Sequence, residues 1–364
     1  MKPRWQSIRI GATCILLLLV INIHRLASSS IVGFESPYFR HIYFGTKKPP
    51  STTPSTNPLY SPQPHSYAYV FYATQDDYAC SALINIERLQ RKFNTRHRII
   101  ILISTSVSEP MRQALAEHNA TVVLHDVPPL AENGASYYRD VLLKLVAFKL
   151  HLIDPSLRRV LIMDADQLIL KNLDDLFYLP DTDLAAPRAY WIQRDFISST
   201  FMLISLSNRL WSRVREAMDT IQPDTYDMDL INTLFGDVVM MLPGNFVTIN
   251  SHWEAWDIPS WYRDNDDESK RHNSSILSSH SKGSVPCFGG HDESGEVREL
   301  NRKLVHVYNQ ASVLHYFALG KPWSYTVEQA KEHRSCAHPL FYTQFGIWRA
   351  SAQRICPGYY DKPV

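Results

Sequence analysis

The stretch from Arg159 to Pro180, RVLIMDADQLILKNLDDLFYLP, constrains this chain more than any other. Val160, Leu161, Ile162 and Met163 form a short unbroken apolar run, the pattern of a strand buried on both faces inside a parallel sheet. Asp164, Ala165 and Asp166 follow at once. At the carboxyl end of such a strand the chain turns, and the two carboxylates converge on one ligand. The simplest ligand is a divalent cation, Mg²⁺ or Mn²⁺, held by one or two carboxylates while phosphate oxygens and water complete its shell. A polyphosphate donor is therefore implied. A bare Asp-x-Asp serves equally to solvate a strand end, so the flanking sequence has to decide between the two.

Ahead of this stretch, Lys2, Arg4 and Arg9 precede the uncharged apolar segment Ile10 to Ile23. That order marks a signal-anchor whose positive flank stays on the cytosolic side. The run is short against the about 20 residues of a spanning helix, so a cleavable signal ending at Ala27-Ser28-Ser29 also fits. The organisation expected is a cytoplasmic tail (1–9), a membrane anchor (10–26) and a Ser/Thr/Pro-rich stem (27–66). A luminal domain (67–340) with a flexible insertion (262–299) follows, and then a C-terminal extension (341–364). Pro49, Pro50, Pro54, Pro58, Pro62 and Pro64 forbid regular structure in the stem. The insertion is charged and Ser-rich, and its His272, His280 and His291 are too scattered for a metal site. The sequons at Asn119 and Asn273 suit a lumen-facing domain. Cys80, Cys287, Cys336 and Cys356 match no zinc spacing and allow up to two disulfides, with Cys336–Cys356 the preferred pair. Lys and Arg number 37 against 36 Asp and Glu, a balance that argues against nucleic acid as a partner.

Tyr67 to Ala73 has the composition of a first strand, Thr74 to Asp77 supplies a polar turn, and a helix is expected from Tyr78 to Phe93. Strand and helix recur at Arg98–Ile103 with Glu109–His118, and a further strand is expected over Thr121–His125. The alternation dictates an α/β fold, a Rossmann-like, mainly parallel central sheet with ligands over the strands' carboxyl ends. The loop from Thr74 to Tyr78 then shares a rim with Asp164 and Asp166. Further on, Tyr138 to Leu152 is expected as an amphipathic helix in which Lys144 has the setting of a snorkelling surface lysine. Leu184–Pro187 and Phe196–Leu206 have strand character. Tyr226 to Phe235 is expected as a helix with Asp227 and Asp229 in its first turn, where carboxylates complement the dipole. By its neighbours alone, His315 is a buried core histidine.

These segments resemble the glycogenin-like glycosyltransferases of family eight. The resemblance is carried by Asp164-Ala165-Asp166 with Asn172–Phe177; by Tyr72, Thr74, Gln75, Asp76 and Tyr78; by Lys144-Leu145 with Phe148; by Asp227, Asp229 and Asn232; and by His315 to Trp323. It implies a single GT-A type domain and metal-dependent, retaining transfer from a UDP-sugar to a glycan or glycoprotein acceptor, in a type II Golgi membrane enzyme. It also implies roles. Asp164, Asp166 and His315 would hold Mn²⁺ or Mg²⁺; Tyr72, Thr74, Gln75, Tyr78, Ala165, Lys144 and Lys321 would bind the donor; Asp227 and Asp229, with Lys144, would serve catalysis. The chain departs from the family at Ile197, Ser198 and Ser199, where an amide and a glycine are usual, and at Met228, which stands in a glutamine position. Met cannot hydrogen-bond a hydroxyl or act as a nucleophile. The anchor, the stem and this variant look most like fungal Golgi N-acetylglucosaminyltransferases, which favours UDP-N-acetylglucosamine over UDP-glucose or UDP-galactose.

Two other readings share parts of the pattern. A haloacid-dehalogenase-type phosphatase also places Asp-x-Asp at a strand end, and Gly236-Asp237 resembles its later acidic motif, yet Met241 stands where the partner acid belongs. An inactive luminal carbohydrate-binding protein would not need Asp164, Asp166, His315 and Lys321 together.

Overall fold

The computed structural model describes residues 66–129, 140–222, 224–263 and 295–364. The expected tail, anchor and nearly all of the stem lie outside them, as do Cys287, the Asn273 sequon and the three histidines of the insertion. Among the described residues no helix is long and apolar enough to cross a membrane.

In chain order the elements are β1 (Tyr67–Ala73), α1 (Asp76–Glu87), β2 (Arg98–Ile103), α2 (Glu109–Glu117), β3 (Thr121–Leu124), α3 (Leu150–Ile153), β4 (Arg159–Met163), β5 (Gln167–Ile169), β6 (Leu184–Pro187) and β7 (Phe201–Ser205). They continue with α4 (Asn208–Asp219), α5 (Asp227–Phe235), β8 (Met240–Leu242), β9 (Thr248–Ile249), α6 (Ser251–Ala255), α7 (Gly295–Gln310), β10 (Val313–His315), α8 (Val327–His333) and α9 (Pro339–Ile355). Seven strands form one sheet in the order β3-β2-β1-β4-β7-β6-β8, and β5-β10-β9 form a second, small sheet. In the large sheet β7 alone runs antiparallel to its neighbours β4 and β6; the other pairs are parallel.

Both faces of the large sheet are covered, which is why its strands read as apolar runs without alternation. Ala68, Val70, Ile100, Leu102, Val160 and Ile162 share one core with residues of α4 and α5 and with Leu142 to Phe148. Tyr69, Phe71, Ile101 and Leu161 are just as buried. At β1 the order of strands reverses, with β2 on one side and β4 on the other, so a crevice opens over the carboxyl ends of β1 and β4, where α/β folds bind ligands.

Several expectations need correction. Val141–Lys149 is a 3-10 segment leading into α3, and it is not amphipathic: Leu142 through Phe148, Lys144 included, are all buried. Phe196–Leu206 is a strand only over Phe201–Ser205, because the preceding residues turn to join Asn232 of α5, whose side chain bonds Ile197 N and O at 2.7 and 2.9 Å. The C-terminal segment is no appendage. Helix α9 crosses the expected boundary at residue 340 and buries Phe341, Phe345 and Trp348 in the fold. Its end is tied to α1 by a disulfide, Cys80–Cys356, so the expected Cys336–Cys356 pairing does not occur; the packing of α9 on α1 places Cys356 beside Cys80. Helix α7 begins inside the expected insertion, because Leu304 and Val307 bury one stripe of it.

Candidate active site

The chain leaves β4 at Asp164 and re-enters β5 at Gln167, and a single helix face fixes this passage. Ser81, Asn85 and Arg88 lie at helical spacing along α1 and the turn that continues it. Ser81 Oγ donates to the Ala165 carbonyl at 2.6 Å, Asn85 Nδ2 to the Gln167 carbonyl at 2.6 Å and Arg88 Nε to the Ile169 carbonyl at 2.7 Å. Alternate carbonyls from the turn into β5 are thus met in order, with helix repeat matched to strand repeat. Ser81 is itself held by the Trp348 indole at 2.9 Å. From the other edge β10 pairs antiparallel with β5, setting His315 opposite Gln167. The loop after His315 is pinned by Asn250, whose Oδ1 accepts from the N–H of both Phe317 and Ala318, and it passes the left-handed Leu319 and Gly320 before Lys321 turns back inward.

The side chains so delivered form one continuous buried network. Lys144 Nζ bridges Asp164 Oδ1 at 2.7 Å and Asp227 Oδ2 at 2.9 Å. Tyr72 donates its hydroxyl to Asp164 at 3.1 Å, and Ser199 donates its own to Asp227. Lys321 Nζ meets Asp166 Oδ2 at 2.5 Å and the Tyr316 carbonyl at 2.9 Å. His315 Nε2 stands 3.7 Å from the same Asp166 oxygen. The other oxygen, Asp166 Oδ1, is buried without a hydrogen-bond partner.

The electrostatics follow from burial against charge. Burial, with Asp166 and Asp227 as like charges, raises the Asp164 carboxyl to about 6 in spite of Lys144. Burial also opposes ionisation of Asp166, but Lys321 and His315 outweigh it and bring that carboxyl down to about 2. Burial would lower the Lys144 ammonium, yet the two carboxylates it bridges hold it above the ordinary lysine range. For His315 burial wins: the imidazole falls to about 4 and is neutral near pH 7. Three carboxylates therefore face two ammonium groups, an excess of negative charge in a buried place.

This donor set fits a hard divalent cation chemically: two carboxylates, one of them with an unpartnered oxygen, and a neutral imidazole. As they stand, with lysines on both carboxylates, no three acidic, histidine or cysteine side chains among the described residues are gathered closely enough to hold a metal ion.

The structure brings together Tyr72, Lys144, Asp164, Asp166, Asp227, His315 and Lys321, all expected from sequence. Tyr78 lies on the same rim, packed edge-on against Trp323 at 4.8 Å between ring centroids. Thr74 is buried and Gln75 exposed at the start of α1, and Ala165 takes part through its carbonyl. Asp229 does not join the network: its carboxylate accepts from Tyr226 N at 3.0 Å and closes a capping box, so helix capping accounts for it. Sequence reasoning missed Ser81, Asn85, Arg88, Gln167 and Asn250, and marked Ser199 only as a departure from the family pattern; polar residues at helical spacing within the apolar stretch of α1 are the signal that could have found the first three. A cavity of about 490 Å³ is lined by Glu87, Arg91, Glu117, His118, Arg354 and Tyr360 among others, and shares no residue with this network.

Set beside known proteins, the chain is 29% identical over 194 residues to glucose N-acetyltransferase 1 of Gibberella zeae, covering 49% of this chain and 42% of that one. It is 26% identical over 291 residues to glycogenin-1 of Mus musculus, covering 75% and 72%. These likenesses are to glycosyltransferases of family eight, glycogenin among them. No family model matches the chain. The apo structure of the bifunctional glycosyltransferase WbbM superposes with a TM-score of 0.51 at 12% identity, over 85% of this chain and 53% of that one, a likeness of fold. The chain spans about half the length of the fungal relatives it matches, 42% and 51% for two of them.

Proposed function

We propose that this chain is a family-eight glycosyltransferase, metal-dependent and retaining, that moves a sugar from a UDP-sugar to a glycan or glycoprotein acceptor. The observation that carries the reading is the buried excess of carboxylates, Asp164, Asp166 and Asp227 over Lys144 and Lys321, at the carboxyl edge of β1 and β4. Asp164, Asp166 and His315 would hold Mn²⁺ or Mg²⁺, which when bound neutralises diphosphate charge as a Lewis acid. Lys321, on the loop after His315, supplies a positive charge to the departing diphosphate, and Lys144 ties Asp164 to Asp227 so that the metal side and the sugar side move together. Asp227, oriented by Ser199 and Lys144, is the carboxylate that shapes the reacting face of the sugar. Tyr78 offers its ring to the uracil. UDP-N-acetylglucosamine is the favoured donor, on the resemblance of the Asp227-Met228-Asp229 variant to fungal N-acetylglucosaminyltransferases. A disulfide within the fold supports an oxidising, luminal setting, in keeping with a Golgi enzyme held by its N-terminal anchor.

The test is UDP release across a panel of UDP-sugars with and without Mn²⁺. Asp166→Ala should abolish release while the variant still folds, with a lowered unfolding temperature because Lys321 loses its buried carboxylate partner. Undiminished Mn²⁺-dependent release by that variant would sink the reading.

A further inference from the structure

Gln167 and His315 stand directly opposite each other in the antiparallel β5–β10 pair, so their side chains share a face. Gln167 is fully buried. Its Nε2 lies 3.3 Å from His315 Nδ1, while its Oε1 has no hydrogen-bond partner. The backbone that follows is clamped by Asn85, which binds the Gln167 carbonyl at 2.6 Å and the Ile169 N–H at 2.9 Å, and the backbone before it by Ser81 on the Ala165 carbonyl at 2.6 Å. The amide is therefore left to turn about its own last bond.

That half-turn changes the chemistry of His315. With the NH₂ group against Nδ1, the ring accepts there and carries its proton on Nε2, the nitrogen that faces Asp166, which then has no lone pair to offer a cation. With Oε1 against Nδ1, the ring donates from Nδ1 and Nε2 presents a lone pair beside Asp166. In either orientation one end of the amide stays unpartnered, so hydrogen bonding at Gln167 selects neither strongly. A cation at Nε2 selects the second.

We propose that Gln167 is the positioning residue that sets the tautomer of His315, turning its carbonyl oxygen to Nδ1 when a divalent cation binds. The inference rests on the reading of His315 as a ligand of that cation. An outer partner of this kind is worth about 10- to 100-fold in metal affinity.

Calorimetric titration with Mn²⁺ in the presence of UDP tests it, with the unfolding temperature of each variant recorded alongside. Gln167→Met, of similar volume but without an acceptor, should weaken Mn²⁺ binding about 10- to 100-fold. Gln167→Glu, whose ionised side chain only accepts, should bind at least as tightly as the native protein, and that affinity should fall once His315→Gln is added. Native-like affinity in Gln167→Met, or equal losses in the Met and Glu variants, would overturn the proposal. If Gln167→Met fails to fold, the Glu variant and its His315→Gln double decide alone. A native protein that takes up no Mn²⁺ with UDP overturns the functional reading as well, whereas native binding with an unaffected Gln167→Met overturns only the role of Gln167.

Discussion

His315 and Lys321 reach the same Asp166 oxygen, yet their chemistry separates them. Loss of a metal ligand weakens metal binding and is recovered in part by more metal, since the other ligands remain. His315→Asn should therefore show a raised Mn²⁺ requirement, partly rescued at high Mn²⁺. Lys321→Met should instead lower kcat about 10²- to 10³-fold with little change in Mn²⁺ affinity, as expected for a group that stabilises leaving charge. Mn²⁺ titrations of turnover on both variants distinguish the two; loss in both that no metal concentration repairs would return His315 to a purely structural role. Both residues were singled out through the resemblance carried by His315 to Trp323, since by its neighbours alone His315 reads as a core histidine. Gln167 was not, since its partner lies 148 residues away and only the β5–β10 register joins them. Lys144 was half legible: the resemblance pointed to the donor site, while the local pattern pointed to the surface. Its burial follows from the carboxylates waiting for it, which no local pattern contains.

At the scale of elements, the strands were readable and the supports between them were not. Apolar runs announce β1, β2 and β4, but a polar residue on α1 declares nothing until β5 lies beside it. Asn85 spends both ends of its amide on β5 backbone, so Asn85→Leu leaves a buried N–H and a buried carbonyl unpaired and should cost about 1–3 kcal/mol each in unfolding free energy. Chemical denaturation of that variant checks this, and an unchanged midpoint would show that the clamp contributes nothing. Helix α9 offers a pH-dependent case. Its N-cap His338 is buried, its Nδ1 accepts from Leu340 N at 3.1 Å, and its Nε2 donates to Asn301 at 2.7 Å. Burial lowers this imidazole to about 4 from an ordinary 6.5. Below pH 6.5 the unfolded chain takes up a proton that the folded one refuses, so this stability is present above pH 6.5 and lost as pH falls toward 4. His338→Asn, which keeps a capping oxygen without titrating, should flatten that decline by up to about 3 kcal/mol. Denaturation midpoints of the two proteins at pH 7 and pH 4.5 measure it; parallel declines would show that other groups carry the pH dependence.

At the scale of the molecule, the α/β class and the rim of the sheet followed from the alternation of strands and helices, but the antiparallel β7 and the closure of the chain on itself did not. Both depend on contacts far apart in sequence. The closure is the more consequential. Cys80 on α1 and Cys356 at the end of α9 are joined across 276 residues, and Trp348 of the same helix holds Ser81, the first rung of the clamp on the turn that carries Asp164 and Asp166. A cross-link over so long a loop removes much freedom from the unfolded chain, about 5 kcal/mol at most by chain entropy. In a domain of this size each kcal/mol shifts the unfolding temperature by about 2–4 °C. The Cys80→Ser, Cys356→Ser double variant should thus unfold up to about 10–20 °C below the native protein. Because α9 also anchors Ser81, the variant should lose Mn²⁺ affinity on warming before it unfolds globally, as α9 frays from α1. Thermal scans paired with Mn²⁺ titration at two temperatures examine both effects. Non-reduced peptide mapping that links Cys356 to a cysteine other than Cys80, or a double variant as stable as the native chain, would refute this account of how the C-terminal helix supports the site.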